Sequence, residues 1–314
     1  MLDGLSAINH LSYYHTFDIM STLFATIMIK INNTTPDKHN YLQILTSIDR
    51  VPKKIFYSGT LPEHRVPTIA IVGTRKPTAY GSAITYKFAS ELAKKGVVIV
   101  SGLALGVDGI AHTATCEAGG ITLAVLPCGL PKIYPSTHHD LAKQIIATGG
   151  ALISEYEEDV DTAYQSRFLE RNRIVAGLAD AILITEAAAR SGTLNTAAHA
   201  LNQGKDVFVV PGNITSPMSA GCNELIKQGA HLVTKVEDIL EHIAPDTLTK
   251  QGKLALAYTP IEAAILEQLN AGIRDGDEIQ RLTGHSAVDI STSLTMLEIN
   301  GAVRALGANQ WTLT

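Results

Sequence analysis

Short apolar runs alternate with amphipathic stretches along the middle of the chain. Each run is rich in Val and Ile and is followed by a turn that contains glycine and then by a helical stretch. Continuous apolar strands of this kind are typical of a parallel sheet that helices cover on both faces. The regular alternation predicts a doubly wound, extended Rossmann-like α/β domain with a mostly parallel sheet. The predicted strands lie at 69–72, 97–100, 122–126, 151–153, 181–185, 207–210 and 231–233.

A different pattern begins at Thr259. Thr259 can cap a helix that has Pro260 at its first position and Glu262 three residues after the cap. Three helices, near 260–270, 277–283 and 286–300, precede a β-hairpin, which predicts a small winged-helix domain. The domains expected are an N-terminal extension and lead-in (1–67), the α/β domain (68–243), a linker (244–258) and the winged helix (259–314).

Composition and charge narrow the classes of function. The 314 residues carry a formal net charge of −5. Residues 68–240 hold 14 Lys and Arg against 16 Asp and Glu (net −2), and residues 251–314 hold 4 against 7 (net −3). A site for a polyanion must therefore be built locally, from a few placed cations and backbone amides, and not from a broad basic face.

The cysteines and the N-terminus bear on location. Three widely spaced cysteines and no C-x-x-C pair argue against a disulfide framework and a structural zinc site, so a cytoplasmic protein is expected.

The apolar run at 19–31 is shorter than the roughly 20 residues that a membrane-spanning helix needs. It is interpreted as a packed helix or a loosely attached tail, and translation starting at Met28 is a second possibility.

Three turns at predicted strand ends carry residues suited to an anion. In the first, Gly73 and Thr74 bring backbone amides towards a helix start, and Arg75 adds a fork-shaped donor suited to phosphate. The other interpretation of this turn is an ordinary strand-to-helix connection with a surface arginine. Because the turn lacks the G-x-G-x-x-G pattern, a dinucleotide site is disfavoured.

The second turn, after 97–100, contains Ser101, Gly102 and two further glycines. It permits either a ligand or a helix to approach the backbone closely. Asp108 and His112 are four residues apart on the predicted helix that follows, and a hydrogen-bonded structural pair is favoured over an acid–base dyad.

The third turn combines a cluster of cations with a glycine turn. Arg167 and Arg171 share one face of a predicted helix, and Arg173 points elsewhere. A charged helix face paired with Glu170 and Asp180 is the alternative interpretation. The full set of candidate binding residues is Gly73, Thr74, Arg75, Ser101, Gly102, Arg167, Arg171, Asn172, Arg173, Ser191, Gly192 and Thr193.

Metal and nucleotide sites are not expected. The His138–His139–Asp140 cluster has no further ligand nearby in sequence, and a structural or solvent-facing role is favoured. No phosphate-binding loop of the G-x-x-x-x-G-K-[ST] type occurs. We therefore expect no cofactor.

Long ordered motifs make the chain resemble a known family. They include IAIVGTRKPTAYG, VSGLALGVDGIAH, TLAVLPCGLPKIYP, ISEY, RFLERNRIVAGLADAILITEAAARSGTLNTA and VFVVPGN followed by GCNELIKQGA. The set resembles the DNA-processing protein A family, also called Smf, from about residue 41 onward, and the tail resembles that family's winged helix. Residues 1–35 do not resemble the small N-terminal helical domain of many relatives.

The resemblance implies a cytoplasmic homodimer that binds single-stranded DNA, protects incoming strands in natural transformation and loads the RecA recombinase, with no turnover chemistry. It implies that Arg75, Ser101, Gly102, Arg171 and Arg173 contact DNA and that Ser191, Gly192 and Thr193 complete the cleft. A single strand can be held by local amides and arginines without a broad basic face.

Two other classes of function compete with this hypothesis. A nucleotide phosphoribohydrolase on a similar fold would place a carboxylate, from Asp108, Glu155 or Glu186, at a ribose. A transcription factor would read duplex DNA with the winged helix. The predicted third helix of that domain holds no Lys or Arg, which disfavours a duplex reader.

Overall fold

The computed structural model describes residues 30–130, 132–157, 160, 164–245 and 259–313. The chain divides into two compact units, Met1–Thr247 and Leu248–Thr314. The apolar run at 19–31, apart from its last two residues, and the predicted linker from 246 onward lie outside the described residues. No helix in the described ranges combines the length and apolarity that crossing a membrane requires.

The first unit is built on one nine-stranded sheet. Its strands, in chain order, are β1 (Asn32–Thr34), β2 (Ile55–Gly59), β3 (Thr68–Val72), β4 (Val98–Ser101), β5 (Thr122–Val125), β6 (Ala151–Ser154), β7 (Ala181–Ile184), β8 (Asp206–Val209) and β9 (His231–Leu232). Their spatial order is β1-β2-β6-β5-β4-β3-β7-β8-β9. The seven strands from β3 to β9 pair in parallel, whereas β1 and β2 add antiparallel pairs at one edge.

Helices follow the parallel strands as the sequence pattern predicts. They are α1 (Ala79–Lys94), α2 (Val107–Glu117), α3 (His139–Ala147), α4 (Gln165–Leu178), α5 (Thr193–Asn202), α6 (Ala220–Lys227) and α7 (Glu237–Ile243). Consecutive strands run outward from β3 in one direction to β6, and the chain then returns to place β7 on the other side of β3. The sheet therefore reverses its winding between β3 and β7, which is where open α/β sheets hold their ligands.

Both faces of the sheet are buried. Alternate strand residues such as Ala70 and Val72 pack with Ile174 of α4 and Ala197 of α5 on one face. Residues of the opposite parity, such as Ala124 and Leu152, pack with Ile145 of α3 on the other. This arrangement explains why β3 to β7 are largely apolar, since every residue in these five strands is buried, and it confirms the predicted doubly wound fold.

The lead-in segment belongs to the same core. Tyr41, Leu42 and Leu45 are fully buried within the cluster that contains the β3 residues. The Tyr41 hydroxyl lies 3.0 Å from Oγ1 of Thr68 at the start of β3. The segment also supplies β1 and β2, which the sequence analysis did not predict. We infer that residues 30–67 are an integral part of the α/β unit.

The second unit holds α8 (Pro260–Asn270), α9 (Gly276–Thr283), α10 (Ala287–Ile299) and a hairpin of β10 (Val303–Gly307) and β11 (Gln310–Leu313). The predicted capping box is present, since Thr259 and Glu262 exchange side chain-to-backbone hydrogen bonds. Ile290, Leu294 and Leu297 fill the small core with Val303. Two other apolar residues of this helix, Val288 and Ile299, lie outside that core and are 74% and 73% exposed.

Candidate nucleic-acid interface

A cleft of about 690 Å³ opens at the carboxyl ends of the central strands, where the winding of the sheet reverses. Its walls come from the turns after β3, β4 and β7 and from one face of α4. Nine of the twelve sequence-predicted site residues line it, namely Gly73, Thr74, Arg75, Gly102, Arg171, Asn172, Ser191, Gly192 and Thr193. The topology thus brings three turns that are far apart in sequence to one site.

Arg75 forms an exposed part of the first wall. Its guanidinium carbon lies 5.3 Å from the centre of the Phe168 ring, and Phe168 meets Tyr134 edge to face at 5.2 Å. All three side chains line the cleft. Among the described residues, no carboxylate forms an ion pair with Arg75, so its charge is available to an anion.

Gly106 fixes the backbone that carries Arg75. Gly106 has φ = 79°, and a Cβ there would overlap the main chain of Thr74 and Arg75. The Val107 amide also donates to the Thr74 carbonyl at 3.2 Å. The turn after β4 therefore packs directly against the turn after β3 and holds Arg75 at the cleft.

The amino terminus of α1 is already occupied by a carboxylate of the protein itself. Glu186 is 2% exposed and accepts from the Thr78 amide at 2.7 Å and from the Thr78 hydroxyl at 2.6 Å. The Thr78 hydroxyl in turn caps the Gly81 amide. The expectation that this helix start binds an external anion is therefore wrong, because the Glu186 carboxylate already occupies the amino terminus of α1.

Arg171 forms the buried floor of the cleft. It is 4% exposed, and its Nη1 atom donates at 2.5 Å to the carbonyl oxygens of Gly102 and Val125 at the ends of β4 and β5. Asp108, also buried, accepts from the amide of Gly102 at 3.1 Å. Burial raises the pKa of the Asp108 carboxyl, and the nearby Arg171 cation opposes that shift.

Asp108 and His112 do not form the hydrogen-bonded pair that their spacing suggested. Asp108 accepts from the backbone after β4, whereas Nδ1 of His112 lies 2.7 Å from the Thr122 hydroxyl in β5. Complete burial, with His138 and Arg171 nearby, lowers the pKa of His112 to about 3. His112 is therefore neutral and structural at physiological pH.

The turn after β7 forms the opposite wall. The Ser191 hydroxyl accepts from the amide of Thr193, the first residue of α5, at 3.2 Å and so fixes the turn before that helix. Asn172 of α4 donates to Asn195 of α5 at 3.3 Å, which joins this wall to the α4 wall. Arg190 is exposed just before the turn and lines the cleft.

Three predicted site residues lie outside the cleft lining. Ser101 is fully buried, and its hydroxyl donates to the Ile71 carbonyl at 2.7 Å, so its assignment to a binding surface is wrong. Arg173 is 6% exposed and makes a two-pronged ion pair with Glu155 at 2.8 and 2.6 Å, so its predicted contact with an anion is wrong as well. Arg167 lies over the rings of Tyr156 and Tyr164 beside the site.

The sequence analysis missed Arg190, Phe168 and Tyr134. Arg190 directly precedes the Ser191–Gly192 turn, and that position was the available signal. Phe168 and Tyr134 carried no such signal, because a lone aromatic residue is usually a core residue. With Arg190, the lining contains three arginines against the one carboxylate of Asp108, which makes the cleft locally cationic in a chain of net charge −5.

Comparison with known proteins agrees with this architecture. The sequence profile of DNA recombination-mediator protein A matches residues 32–244, which is more than half of the chain. The chain belongs to the DNA recombination-mediator protein A family. The profile of the DprA winged helix domain matches residues 238–309, so both units of this family member have counterparts in the family.

Individual relatives give the same result. Protein Smf of Escherichia coli is 39% identical over 277 residues, which cover 84% of this chain and 72% of that protein. A DNA processing protein DprA of Mycobacterium tuberculosis is 41% identical over 239 residues, which cover 74% of this chain and 61% of that protein. The match therefore spans about three fifths of the mycobacterial relative.

Solved structures of relatives share the fold. DprA of Streptococcus pneumoniae superposes with a TM-score of 0.63 at 36% identity, covering 68% of this chain and 75% of that one. DprA of Helicobacter pylori superposes with a TM-score of 0.59 at 33% identity, covering 71% of this chain and 98% of that one. The latter structure was described for its single-stranded DNA binding mode.

Proposed function

We propose that this protein is a single-stranded DNA-binding recombination mediator. The observation that carries the proposal is the cleft itself, where exposed Arg75 and Arg190 and the buried Arg171 cation meet at the switch point of the sheet. Support comes from the H. pylori relative, a single-stranded DNA-binding DprA that is 33% identical. The DNA-binding domain would be residues 68–243 with the packed lead-in, joined by a linker at 244–258 to the winged helix at 259–314.

Phosphates and bases would be held by different groups. Arg75 and Arg190 are placed to meet phosphates, together with the turn residues Ser191, Gly192 and Thr193. Bases would stack on Tyr134 and Phe168 within the cleft, and the Arg167, Tyr156 and Tyr164 group offers a second platform beside it. Stacking of this kind requires unpaired bases, so the arrangement favours single strands over duplex DNA.

The proposal extends to the cellular role. We infer that the protein protects incoming strands in natural transformation and loads RecA onto them, acting as a cytoplasmic homodimer. Membership of a recombination-mediator family supports this inference. The RecA proposal is tested by the lag before RecA hydrolyses ATP on strands coated with single-strand-binding protein. Adding this protein should shorten that lag. An unchanged lag would contradict the RecA proposal while leaving DNA binding intact.

Catalysis is not part of the proposed function. The three carboxylates that a phosphoribohydrolase could use are committed elsewhere: Glu186 holds Thr78, Glu155 pairs with Arg173, and Asp108 accepts from the β4 turn. Of the three, Asp108 alone lines the cleft, where it is 7% exposed and already accepts from two backbone amides. We therefore expect no hydrolysis of nucleoside monophosphates and no requirement for ATP or NAD. Release of free base, or micromolar binding of either nucleotide by calorimetry, would contradict this.

The central test compares oligo-dT with a duplex of equal length across a salt series. We expect tighter binding of the single strand and a linear fall of log K with log salt, with a slope of about −0.7 for each phosphate contact. Equal affinity for both ligands, or a slope near zero, would remove the cleft as a single-strand site.

A further inference from the structure

A second cluster of functional side chains lies at the opposite end of the sheet from the cleft. Asp206 begins β8, His231 begins β9, and His242 lies in the last turn of α7. Because the cleft lies at the carboxyl ends of parallel strands, these residues at the amino ends of β8 and β9 are separate from it. None of the three lines the cleft.

The three side chains converge on a small volume. Oδ1 of Asp206 is 3.3 Å from Nε2 of His231, and Oδ2 is 3.5 Å from Nδ1 of His242. One ligand atom from each residue can be chosen so that all three lie within 4.8 Å of one another. Two ligands bonded to one zinc ion at about 2.1 Å, at the tetrahedral angle, are about 3.4 Å apart. Each measured spacing is close to that value, although the two involve different oxygens of Asp206.

The sheet register and one aromatic side chain hold the cluster in place. Asp206 and Phe208 are two residues apart on β8 and share a face, and Phe208 pairs in register with His231. The buried Phe208 ring packs against His231 at 5.2 Å and His242 at 5.1 Å between ring centroids. The two imidazoles therefore stay adjacent, 4.9 Å apart, which lowers the cost of bringing them onto one ion.

We propose that Asp206, His231 and His242 bind a divalent transition-metal ion of the zinc class. Two imidazole nitrogens and one carboxylate oxygen form a donor set that suits Zn²⁺, Ni²⁺ and Co²⁺. Mg²⁺ and Ca²⁺ require oxygen ligands and are not expected. Each of the three residues is partly exposed, so water completes the coordination and the ion can enter from solvent.

A bound ion would add a direct link between three short elements at this edge of the sheet. β9 is only two residues long, and α7 is only seven residues long. The metal would link both elements to β8, and because it binds the folded chain only, it would stabilise that edge of the sheet. The site therefore acts as a metal clip that is independent of the DNA cleft.

The experiment uses the full chain, freed of metal with EDTA and then dialysed. Calorimetric titration with Zn²⁺ should show one tight site that fills at about one Zn²⁺ per chain, before any weaker sites bind. Zn²⁺ should also raise the Tm of the chain. Co²⁺ should give visible bands of a low-coordinate nitrogen–oxygen site. Mg²⁺ should do neither. Absence of the saturable equivalent, or an equal response to Mg²⁺, would overturn the proposal.

Variants distinguish this site from the other histidines, of which the chain has 11 in all. His231→Gln and His242→Gln should each weaken Zn²⁺ binding at least about tenfold and abolish the Co²⁺ spectrum. His64→Gln, at an exposed histidine outside the cluster, should bind as the unaltered chain does. Equal Tm values in EDTA show that the variants fold. Undiminished binding by the His231→Gln or His242→Gln chain would overturn the assignment.

Discussion

The guanidinium of Arg171 occupies the space that a Cβ atom at Gly102 would fill. Nη1 of Arg171 lies 2.5 Å from the Gly102 carbonyl oxygen, and any side chain at 102 would overlap the guanidinium. Gly102 is therefore required by a buried cation of the protein and not by a ligand that approaches the backbone. Arg171 places positive charge beneath the cleft while its hydrogen bonds hold the ends of β4 and β5.

Gly102→Ala should destabilise the fold. The added Cβ displaces a buried guanidinium from two carbonyl oxygens, and we expect a loss of about 3 kcal/mol in the free energy of unfolding. Gly192→Ala is the matched control, because a Cβ at Gly192 meets open space and the backbone there is helical. The free energy of unfolding of this variant should change by no more than about 1 kcal/mol. Urea unfolding measures both. A Gly102→Ala chain as stable as the original would show that Arg171 moves without cost.

Arg75→Ala and Arg190→Ala should separate binding from stability. Both side chains are exposed, so each change should alter the free energy of unfolding by less than about 0.5 kcal/mol. Each loses one proposed phosphate contact, so the slope of log K for oligo-dT against log salt should become shallower by about 0.7. Lys143→Ala removes an exposed cation outside the cleft and should leave the slope unchanged. Unaltered slopes in both arginine variants would remove these residues from the site.

Arg173 should behave differently from those two arginines. It forms a buried ion pair with Glu155, with 7% and 15% of the two side chains exposed. Arg173→Met leaves the Glu155 carboxylate buried without its partner, so unfolding should become easier by about 3–5 kcal/mol. The salt slope of oligo-dT binding should not change.

The double variant Glu155→Leu with Arg173→Met supplies the control for this ion pair. With both charges removed, most of the lost stability should return, because neither ion then needs a partner. A double variant no more stable than the single one would show that Arg173 acts mainly through its other contacts, the hydrogen bonds to the carbonyls of Arg50 and Glu170.

Particular elements show how much the sequence alone could predict. All seven parallel strands were predicted near their observed positions. For β3 to β7 the reason is burial on both faces, which leaves nearly uninterrupted apolar runs, whereas both residues of β9 are exposed. The capping box at Thr259 was predicted correctly, since its signal is local. β1 and β2 were missed because β1 (NNT) has no apolar residue and β2 (IFYSG) has only three before a Ser-Gly pair, so neither forms a long apolar run.

The candidate site was predicted in outline but not in its division of roles. Spacing along α4 identified Arg167, Arg171 and Arg173 as a group, yet it could not show which of them faces the cleft. That depends on Gly102 and Glu155, which directly follow β4 and β6 and are distant in sequence. Residue type and periodicity predict the faces of a single helix or strand. Whether a charged side chain on it is buried depends on partners from other elements, which these local signals do not reveal.

Stability in mild acid should depend on His112. Burial lowers the pKa of His112 from 6.5 to about 3 in the folded chain. Between these values the unfolded chain binds the proton more readily, so the stabilisation is full above pH 6.5 and is lost as the pH falls towards 3. Lowering the pH from about 8 to about 5 should therefore reduce the free energy of unfolding by about 2 kcal/mol through His112 alone. Urea unfolding at several pH values measures the loss.

His112→Gln is the comparison for this pH dependence, because glutamine can keep a hydrogen bond to Thr122 but does not titrate. The difference between the two pH profiles cancels the contribution of the carboxyl groups, which both chains share. Profiles that run parallel from about pH 8 to about pH 5 would show that the folded chain accepts the proton at His112 without penalty.

The winged helix should not be needed to hold DNA. In a helix-turn-helix module the second helix of the motif enters the major groove and donates to phosphates and bases. Here that helix is α10, which holds no Lys or Arg and carries Asp289 and Glu298. Residues 251–314 have 4 basic against 7 acidic side chains, a net charge of −3. Non-specific affinity for DNA comes from cations that meet phosphates, so this module should repel a duplex.

Truncation after Ala257 tests this division of labour. The first unit ends at Thr247 and has its own core, so the shortened chain should fold and keep both the affinity and the salt slope for oligo-dT. In the full chain, the exposed apolar Val288 and Ile299 of α10 are available for protein contact. Circular dichroism and urea unfolding verify that the α/β unit is intact. If single-strand binding collapses while that unit stays folded, the winged helix takes part in holding DNA despite its charge.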